Sequence, residues 1–384
     1  MLMRVDFLVI VSVLAIVAAV LASRVLRPTG DTASHAPQHS AGDQLIHTLA
    51  FSGPGTLRWL TRLDDRLFAR RIRTVNLGPP IFITSLARGG TTALVNALHA
   101  LPGVATHLYA DMPFITAPLL WSKLGGRSRA VTERPRAHGD GMQISLRSPE
   151  AFDEVFWQLF WPEKYRDEQI LLWSQTDIRA EAQGFFQRQF KKIAVLRRPR
   201  AVSPVRYLSK NNANIARLDL LPLMFPDCSI IVPVRHPAAH AASLHRQHLN
   251  FSRLHADDPF ALRYMRDIGH FEFGKLHKAI DFAGSSSDGR NPEQPDYWLA
   301  YWIAAMEDIS RHATRVLIVT QDDIQAAPQA SMDALTARLG LEPVTDAAQY
   351  FRATPDIRPI AEFDAALLDR ATALYDRLAQ QAVR

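Results

Sequence analysis

The sequence predicts an α/β fold, in which helices flank a central parallel sheet in three layers and one transmembrane helix is added at the N-terminus. Apolar runs of strand length, rich in β-branched residues, occur at 81–86, 228–234 and 315–320. The first two lead directly into stretches with helical character. Strands that alternate with helices are typical of a parallel sheet covered on both faces. We expect the segment 206–210 (RYLSK) to add a further strand.

Composition allows one large domain or two small ones and limits the kinds of partner. The 384 residues are 47% hydrophobic and 21% charged, which is typical of a globular chain. The net charge of +6 suits a polyanionic ligand, but the arginines are spread along the chain, so we do not expect nucleic-acid binding. Cys228 is the only cysteine, which excludes an intrachain disulfide and a cysteine-based zinc site. Nothing in the composition indicates an oligomeric state.

An uncharged apolar stretch runs from Phe7 to Ala22 near the N-terminus. With its apolar flanks it is close to the length that spans a bilayer, for which about 20 residues are usual. We therefore assign residues 1–27 to a transmembrane anchor, with a signal peptide cleaved after Ala22 as the alternative. Arginines are far more frequent after this stretch than before it. The positive-inside rule then places the C-terminal bulk of a single-pass membrane protein in the cytoplasm.

The rest of the chain divides into three parts. Residues 28–43 are poor in apolar side chains and indicate a flexible linker. Residues 44–78 place leucines among arginines at helical spacing, which predicts an amphipathic helical lead-in. Residues 79–384 are expected to form the globular domain, with a helical insertion over the aromatic-rich stretch 120–205.

The turn after the first predicted strand has the residues of a phosphate-binding loop. Gly89 and Gly90 allow backbone N–H groups to approach an anion closely, and the following helix N-terminus adds a favourable dipole. Thr91 and Thr92 supply hydroxyl donors, and Arg88 supplies a fixed positive charge. The fold class is therefore P-loop-like.

This loop is not an ATP-type P-loop, which begins with glycine and has a lysine immediately before Ser/Thr. Ser85 stands at the first of these positions and Thr91 at the second. A P-loop-like kinase or nucleotide hydrolase remains the alternative function, but it would lack the lysine that contacts the terminal phosphates.

The segment PIFITSLARGGTTAL resembles the 5'-phosphosulfate loop of PAPS-dependent sulfotransferases, where PAPS is 3'-phosphoadenosine-5'-phosphosulfate. Arg88 matches the basic residue of that loop, Gly90 its glycine, and Thr91 and Thr92 its two threonines. Ala87 replaces the usual proline, and the neighbouring Gly89 replaces the usual serine, which removes one hydroxyl donor.

A second segment, FPDCSIIVPVRHPAAHAAS, resembles the 3'-phosphate element of the same family. In that element a strand ends in Arg-x-Pro, and a serine follows eight residues after the arginine. The matching residues are Arg235, Pro237 and Ser243. Ser243 would lie about two turns into the helix, so that it and Arg235 would reach one phosphate. Together the two segments identify the chain as a member of the sulfotransferase family.

The resemblance implies a function and a donor. PAPS would supply a sulfuryl group to a hydroxyl or amine of an acceptor that the sequence does not identify, with a glycan or a lipid-linked molecule as candidates. Arg88 would stabilise the charge that develops on the leaving phosphate. No metal is expected. The anchor indicates the membrane-bound carbohydrate or protein-tyrosine type rather than the cytosolic type, with the domain in the Golgi lumen if the source is eukaryotic.

The transfer also needs a general base, since an acceptor hydroxyl must lose its proton. Related sulfotransferases place a carboxylate after the first helix, where this chain has Asp111. His107, four residues earlier, is a second candidate, either as the base or as a partner that orients Asp111. His138 and Asp140 form a third cluster in a glycine-flanked segment; we favour acceptor binding or loop structure for it over the role of base.

Lys210 ends the segment 206–210 and resembles the lysine that lies near the donor sulfate in this family, where it would neutralise the sulfuryl oxygens. Two residues later, where cytosolic members have a histidine, this chain has Asn212. We therefore expect no histidine base at that position.

Overall fold

The structure is a computed structural model of the 384-residue chain. The residues that it describes are 41–124, 134–135, 143–144, 146–150, 152–197, 203–282, 289–351 and 361–384. They fall into two compact units, one drawn from Met1–Arg70 and Ala110–Ala130, the other from Arg71–Tyr109 and Val131–Arg384.

The described helices in chain order are α1 (Ala41–Ala50), α2 (Pro54–Leu67), α3 (Ala69–Arg73), α4 (Thr91–His99), α5 (Pro118–Lys123), α6 (Glu154–Phe160), α7 (Ala180–Arg197), α8 (Leu221–Met224), α9 (Pro237–Asp257), α10 (Pro259–Asp267), α11 (Pro295–Arg311), α12 (Gln321–Ala326), α13 (Pro328–Leu339) and α14 (Ala365–Ala379). The described strands are β1 (Ile81–Ile83), β2 (Val104–Ala105), β3 (Arg134–Pro135), β4 (Gln143–Ile144), β5 (Gln169–Ile170), β6 (Arg206–Lys210), β7 (Ser229–Val234), β8 (Ala279–Ile280) and β9 (Leu317–Thr320).

The first unit is helical and contains α1, α2 and α5. The sequence predicts one amphipathic lead-in over 44–78, but the chain begins a new helix at Pro54, because proline suits the first turn of a helix and interrupts a longer one. Ile46, Leu60 and Trp121 belong to one buried apolar cluster of this unit. Asp64 accepts a hydrogen bond from the backbone N–H of Leu120 at 2.7 Å.

The second unit is built on the parallel sheet that the sequence predicts. Its five strands have the order β2-β6-β1-β7-β9, and every neighbouring pair is parallel. Phe82 of the central strand β1 is in register with Ser209 of β6 and Ile230 of β7. The predicted strand at 81–86 ends early, at Ile83, because the chain turns at Leu86, whose carbonyl accepts the N–H of Gly89 at 3.2 Å.

Alternation along the strands places apolar side chains on both faces of the sheet. Ile81 and Ile83 belong to a buried cluster with Leu94 of α4 and Met332 of α13. Phe82 contacts the ring of Phe225, with 5.4 Å between ring centroids. Helices α9, α11 and α14 pack against one another, and α14 also contacts β7 and β9.

An aromatic core over 152–225 includes several of the tryptophans of the predicted insertion. Trp157, Trp161 and Trp173 are at most 2% exposed, so they pack in the core. The guanidinium of Arg217 lies 4.3 Å from the Trp157 ring and 4.2 Å from the Trp173 ring. Glu154 of α6 balances its charge, with N–O distances of 2.7 and 2.9 Å.

The transmembrane helix of the predicted fold class is not supported and is corrected here. No helix among the described residues is both long and apolar enough to cross a bilayer. Helices α7 and α9 have 18 and 21 residues, but charged side chains such as Lys191 and Arg246 interrupt them. Residues 1–27, to which the sequence assigns the anchor, lie outside the described residues. Neither the anchor nor a single-pass membrane location is therefore supported.

Candidate active site

The predicted phosphate loop connects β1 to α4 at the carboxyl end of the sheet. Arg88 and Gly90 have positive φ angles, of 69° and 97°, which reverse the chain into the helix. No atom lies within 4 Å of a Cβ built on Gly90, so glycine is needed there for its backbone and not for space. Thr91 begins α4, and the first N–H groups of a helix have no partner within it. The loop therefore presents amide donors and a helix dipole at one point.

Gly89 is required by close packing. A Cβ at this position would lie 3.0 Å from Ser85 Oγ and 3.1 Å from both His240 Cε1 and the Leu86 carbonyl. Contacts this short are not tolerated without movement of the neighbours. A serine here, which the family usually has, would require these neighbours to shift by a few tenths of an ångström.

His240 of α9 supports the loop through a hydrogen bond to its backbone. Its ring is fully buried, with Nε2 2.8 Å from the Ala87 carbonyl and Nδ1 accepting the indole N–H of Trp302 at 3.1 Å. Because Nδ1 accepts, Nε2 carries the proton and donates it to Ala87. Burial lowers the pKa of His240 to about 3, and nearby Arg235 and Arg88 act in the same direction. A neutral histidine is thus part of the loop's support, which the sequence motifs did not indicate.

The two predicted donor-binding segments meet at this loop. Arg88 donates from Nε to Ser243 Oγ at 3.3 Å, across 155 residues of sequence. Arg235, at the end of β7, donates to the Arg88 carbonyl at 3.5 Å. Both arginines are partly exposed and Ser243 is buried. This places two guanidinium groups and a hydroxyl beside the start of α4.

Behind the threonines of the loop lies a chain of polar contacts. Thr91, at the first turn of α4, donates to Asn212 Oδ1 at 3.2 Å, and Asn212 Nδ2 donates to Glu272 at 3.1 Å. Thr84 donates to the Asn212 carbonyl at 3.1 Å. Asn212 therefore fixes the loop from the side of β6. Thr92, the next residue of α4, is partly exposed.

Lys210 ends β6 beside the loop and is 6% exposed as a side chain. Its ammonium lies 3.1 Å from Glu150 Oε1, and Tyr109 donates to Glu150 Oε2 at 2.6 Å. Glu150 is a residue that the sequence motifs missed. It lies in no recognisable pattern, and its position depends on pairing between two distant segments.

The predicted base candidates occupy different places. His107 is buried among the rings of Phe156 and Tyr207, with Nε2 3.9 Å from Asp153 Oδ1. Asp111 is buried in a 3-10 helix, Tyr109–Asp111, and belongs to the first compact unit. The catalytic roles of both residues stay predictions. The cluster of His138 and Asp140 lies outside the described residues.

No group of three or more histidine, cysteine, aspartate or glutamate side chains arranged to hold a metal ion occurs within the described ranges. The chemical groups gathered at the carboxyl end of the sheet are therefore guanidinium, ammonium, hydroxyl, amide N–H and carboxylate.

A parallel sheet whose central strand enters a glycine loop at the start of a helix is an arrangement in which α/β proteins bind anionic ligands. The family model described as "Sulfotransferase family" matches residues 79–280, more than half of the chain. The chain belongs to the sulfotransferase family, and it is a sulfotransferase enzyme.

Three solved structures are similar to the chain. A sulfotransferase of Mycobacterium tuberculosis has 15% identity and a TM-score of 0.46, over 88% of this chain and 84% of its own. A sulfotransferase of Mycobacterium avium has 12% identity and a TM-score of 0.44, over 90% and 85%. One from Alicyclobacillus acidocaldarius has 14% identity and a TM-score of 0.36, over 79% and 94%. No curated protein sequence matches the chain.

Proposed function

We propose that the chain transfers a sulfuryl group from PAPS to an acceptor hydroxyl or amine. The observation that carries this proposal is the meeting of Arg88, Arg235 and Ser243 at the phosphate loop. A donor with phosphate groups at two separate positions needs two anion sites a short distance apart, and these residues supply both.

Each of the two anion sites would bind one phosphate-bearing end of the donor. The 5'-phosphosulfate would bind the loop at the N–H groups at the start of α4 and at the hydroxyl of the partly exposed Thr92, next to Thr91, which Asn212 holds. The 3'-phosphate would bind Arg235 and Ser243 at the start of α9. Arg88 lies between the two sites, because it contacts Ser243 through its side chain and Arg235 through its carbonyl.

Catalysis in this arrangement is electrostatic. As the bond between sulfur and the bridging oxygen breaks, negative charge grows on the leaving phosphate, where Arg88 and the loop amides stabilise it. Lys210, on the neighbouring strand β6, would neutralise the sulfuryl oxygens. Arg88 and the loop amides are fixed before the reaction by β1 and the His240 contact, so these groups need little reorganisation.

The kinase alternative is not favoured. Thr91 occupies the position where a P-loop has its lysine, and its hydroxyl is held by Asn212. The family match is to sulfotransferases.

Calorimetric titration of the full chain with PAP, the desulfated donor, and separately with Mg-ATP tests the proposal. We expect PAP to bind and the Arg88→Ala and Arg235→Ala variants to lose about 2–5 kcal/mol of affinity, because each leaves phosphate charge unpaired. Arg370→Ala, which removes a surface pair with Glu307, is the matched control and should bind PAP normally. Binding of Mg-ATP without binding of PAP would exclude the sulfotransferase mechanism.

A further inference from the structure

Glu150 contacts Lys210, the lysine that resembles the sulfate-binding lysine of the family. Its carboxylate is 12% exposed and receives Lys210 Nζ on Oε1 at 3.1 Å. The other oxygen, Oε2, accepts the Tyr109 hydroxyl at 2.6 Å. The side chain is thus fixed at both oxygens, at the carboxyl end of β6.

Backbone pairing brings Glu150 to this place. The Glu150 N–H donates to the His107 carbonyl at 3.2 Å, and the Tyr109 N–H donates to the Ser148 carbonyl at 3.1 Å. Residues 107–109 follow β2, which pairs with β6 in the central sheet. The segment that carries Glu150 is therefore attached to the edge of the sheet at which β1 opens into the phosphate loop.

We propose that Glu150 is the general base of the sulfuryl transfer and that Lys210 moves its ammonium from Glu150 to the sulfuryl group when the donor binds. This inference rests on the proposed function. In the structure, Lys210 forms an ion pair with Glu150. A bound sulfuryl group offers the ammonium a second anionic partner, and Oε1 then accepts an acceptor O–H in place of the ammonium. The base is thereby released only after the donor has arrived.

The step balances as a direct displacement. Glu150 Oε1 takes the proton of the acceptor hydroxyl, and the acceptor oxygen forms a bond to sulfur. The bond from sulfur to the bridging oxygen of the 5'-phosphate breaks, and its electron pair stays on that oxygen. The products are the sulfate ester, PAP and protonated Glu150, which returns its proton to water.

If Lys210 moves between Glu150 and the sulfuryl group, the Glu150 carboxylate opposes binding of the sulfated donor. It competes for Lys210 and, as an anion, repels the sulfuryl oxygens. PAP has no sulfuryl group and is not subject to either effect. Replacing Glu150 with glutamine should therefore strengthen PAPS binding while leaving PAP binding unchanged.

The first test is calorimetric titration of the full-length wild type and Glu150→Gln with PAP and with PAPS. We expect the ratio of PAPS affinity to PAP affinity to rise about fivefold in the variant, the factor that one partly exposed ion pair supplies. Glu163→Gln, which changes a surface pair with Arg179, should leave the ratio unchanged. An unchanged ratio in Glu150→Gln overturns the proposal.

The second test compares two model acceptors, 2-naphthol and 4-nitrophenol. An acceptor that is already ionised needs no base, so 4-nitrophenol should be nearly insensitive to the substitution. With 2-naphthol, kcat should fall about 100-fold or more, the usual contribution of a general base. Equal losses for the two phenols would make Glu150 a structural residue and overturn the proposal.

Failure of this inference is distinguishable from failure of the proposed function. A wild type that binds neither PAP nor PAPS refutes the sulfotransferase mechanism itself. A wild type that binds both, together with a Glu150→Gln variant that keeps full turnover of 2-naphthol, refutes only the role of Glu150. Thermal unfolding of the variant shows whether it is folded, and Glu150→Asp, which keeps the carboxylate, should restore part of the turnover.

Discussion

Arg88 Nε lies 3.3 Å from Ser243 Oγ, so a residue of the phosphate loop and a residue two turns into α9 share one contact. The two belong to separate sequence segments, each resembling a different phosphate-binding element. Their meeting follows from the neighbouring positions of β1 and β7 in the parallel sheet, whose carboxyl ends deliver the loop and α9 to the same edge.

Replacement of Ser243 with alanine should weaken PAP binding about tenfold, since a hydrogen bond to a charged group is worth roughly 1.5 kcal/mol. The loss arises because Arg88 and the 3'-phosphate share this hydroxyl. Calorimetric titration with PAP measures the change. Ser331→Ala, which removes a hydroxyl that donates to the Asp323 carbonyl, is the control and should bind PAP like the wild type. Equal PAP affinity in Ser243→Ala would remove Ser243 from the donor site.

Replacement of Gly89 with alanine should destabilise the chain by about 1–3 kcal/mol, the usual cost of overpacking. The added Cβ would lie 3.0 Å from Ser85 Oγ and 3.1 Å from His240 Cε1. Urea denaturation measures the free energy of unfolding. Gly184→Ala in helix α7, where a Cβ would meet only the end of the Arg188 side chain, at 3.4 Å, should not destabilise the chain. No destabilisation in Gly89→Ala would show that the loop adapts.

Much of the central sheet could be predicted from the sequence, for a physical reason. Strands β1, β7 and β9 are buried in a parallel sheet, so they appear as largely apolar or β-branched runs that turn residues delimit. Strand β2 has only two residues, too few to produce a pattern. The start of α9 could also be predicted from the sequence, because Pro237 fits the first turn of a helix.

The catalytic surroundings were less accessible to sequence reasoning. Arg235 directly follows β7 and Arg88 lies in the loop after the neighbouring strand β1, so the topology predicts that they lie close together. Glu150 and Glu272 lie in irregular segments, and they reach the site through long-range pairing that no local periodicity encodes. His240 is one of several histidines in α9, and only its packing between Ala87 and Trp302 distinguishes it.

The free energy of unfolding should decrease as the pH falls, because the buried His240 stays neutral in the native chain. Its native pKa is near 3 and the ordinary value is 6.5, so between these values the unfolded chain binds a proton that the native chain does not. The contribution is intact above pH 6.5 and is lost as the pH falls below it. Between about pH 7.5 and about pH 5.5 the loss for one such group is about 1.4 kcal/mol. Urea denaturation at the two pH values measures the free energy of unfolding. Its decrease on acidification should be smaller in His240→Gln than in the wild type by that amount. An equal decrease in both proteins would show that His240 does not have a lowered pKa in the native state.

The ion pair between Glu154 and Arg217 should be essential for stability. Both side chains are nearly inaccessible, and Arg217 lies between two tryptophan rings. Glu154→Gln leaves the guanidinium buried without its counter-charge, for an expected loss of about 3–5 kcal/mol in the free energy of unfolding. Glu307→Gln, at a surface pair with Arg370, should cost less than about 1 kcal/mol in the same urea experiment. If the two variants lost similar amounts of the free energy of unfolding, burial would not strengthen the contribution of the Glu154–Arg217 ion pair.

Asp111→Asn distinguishes Asp111, the base that the sequence predicts, from Glu150, the base that we propose. If Glu150 takes the acceptor's proton, Asp111→Asn keeps more than about a tenth of the wild-type kcat for 2-naphthol, whereas Glu150→Gln falls about 100-fold or more. Both variants should retain PAP affinity, because neither side chain belongs to the two anion sites, and calorimetry verifies this. His107→Gln, assayed alongside them, should not change the ratio of 2-naphthol to 4-nitrophenol turnover, because its ring is enclosed by Phe156 and Tyr207. A 100-fold loss in Asp111→Asn with normal turnover in Glu150→Gln would return the catalytic role to Asp111.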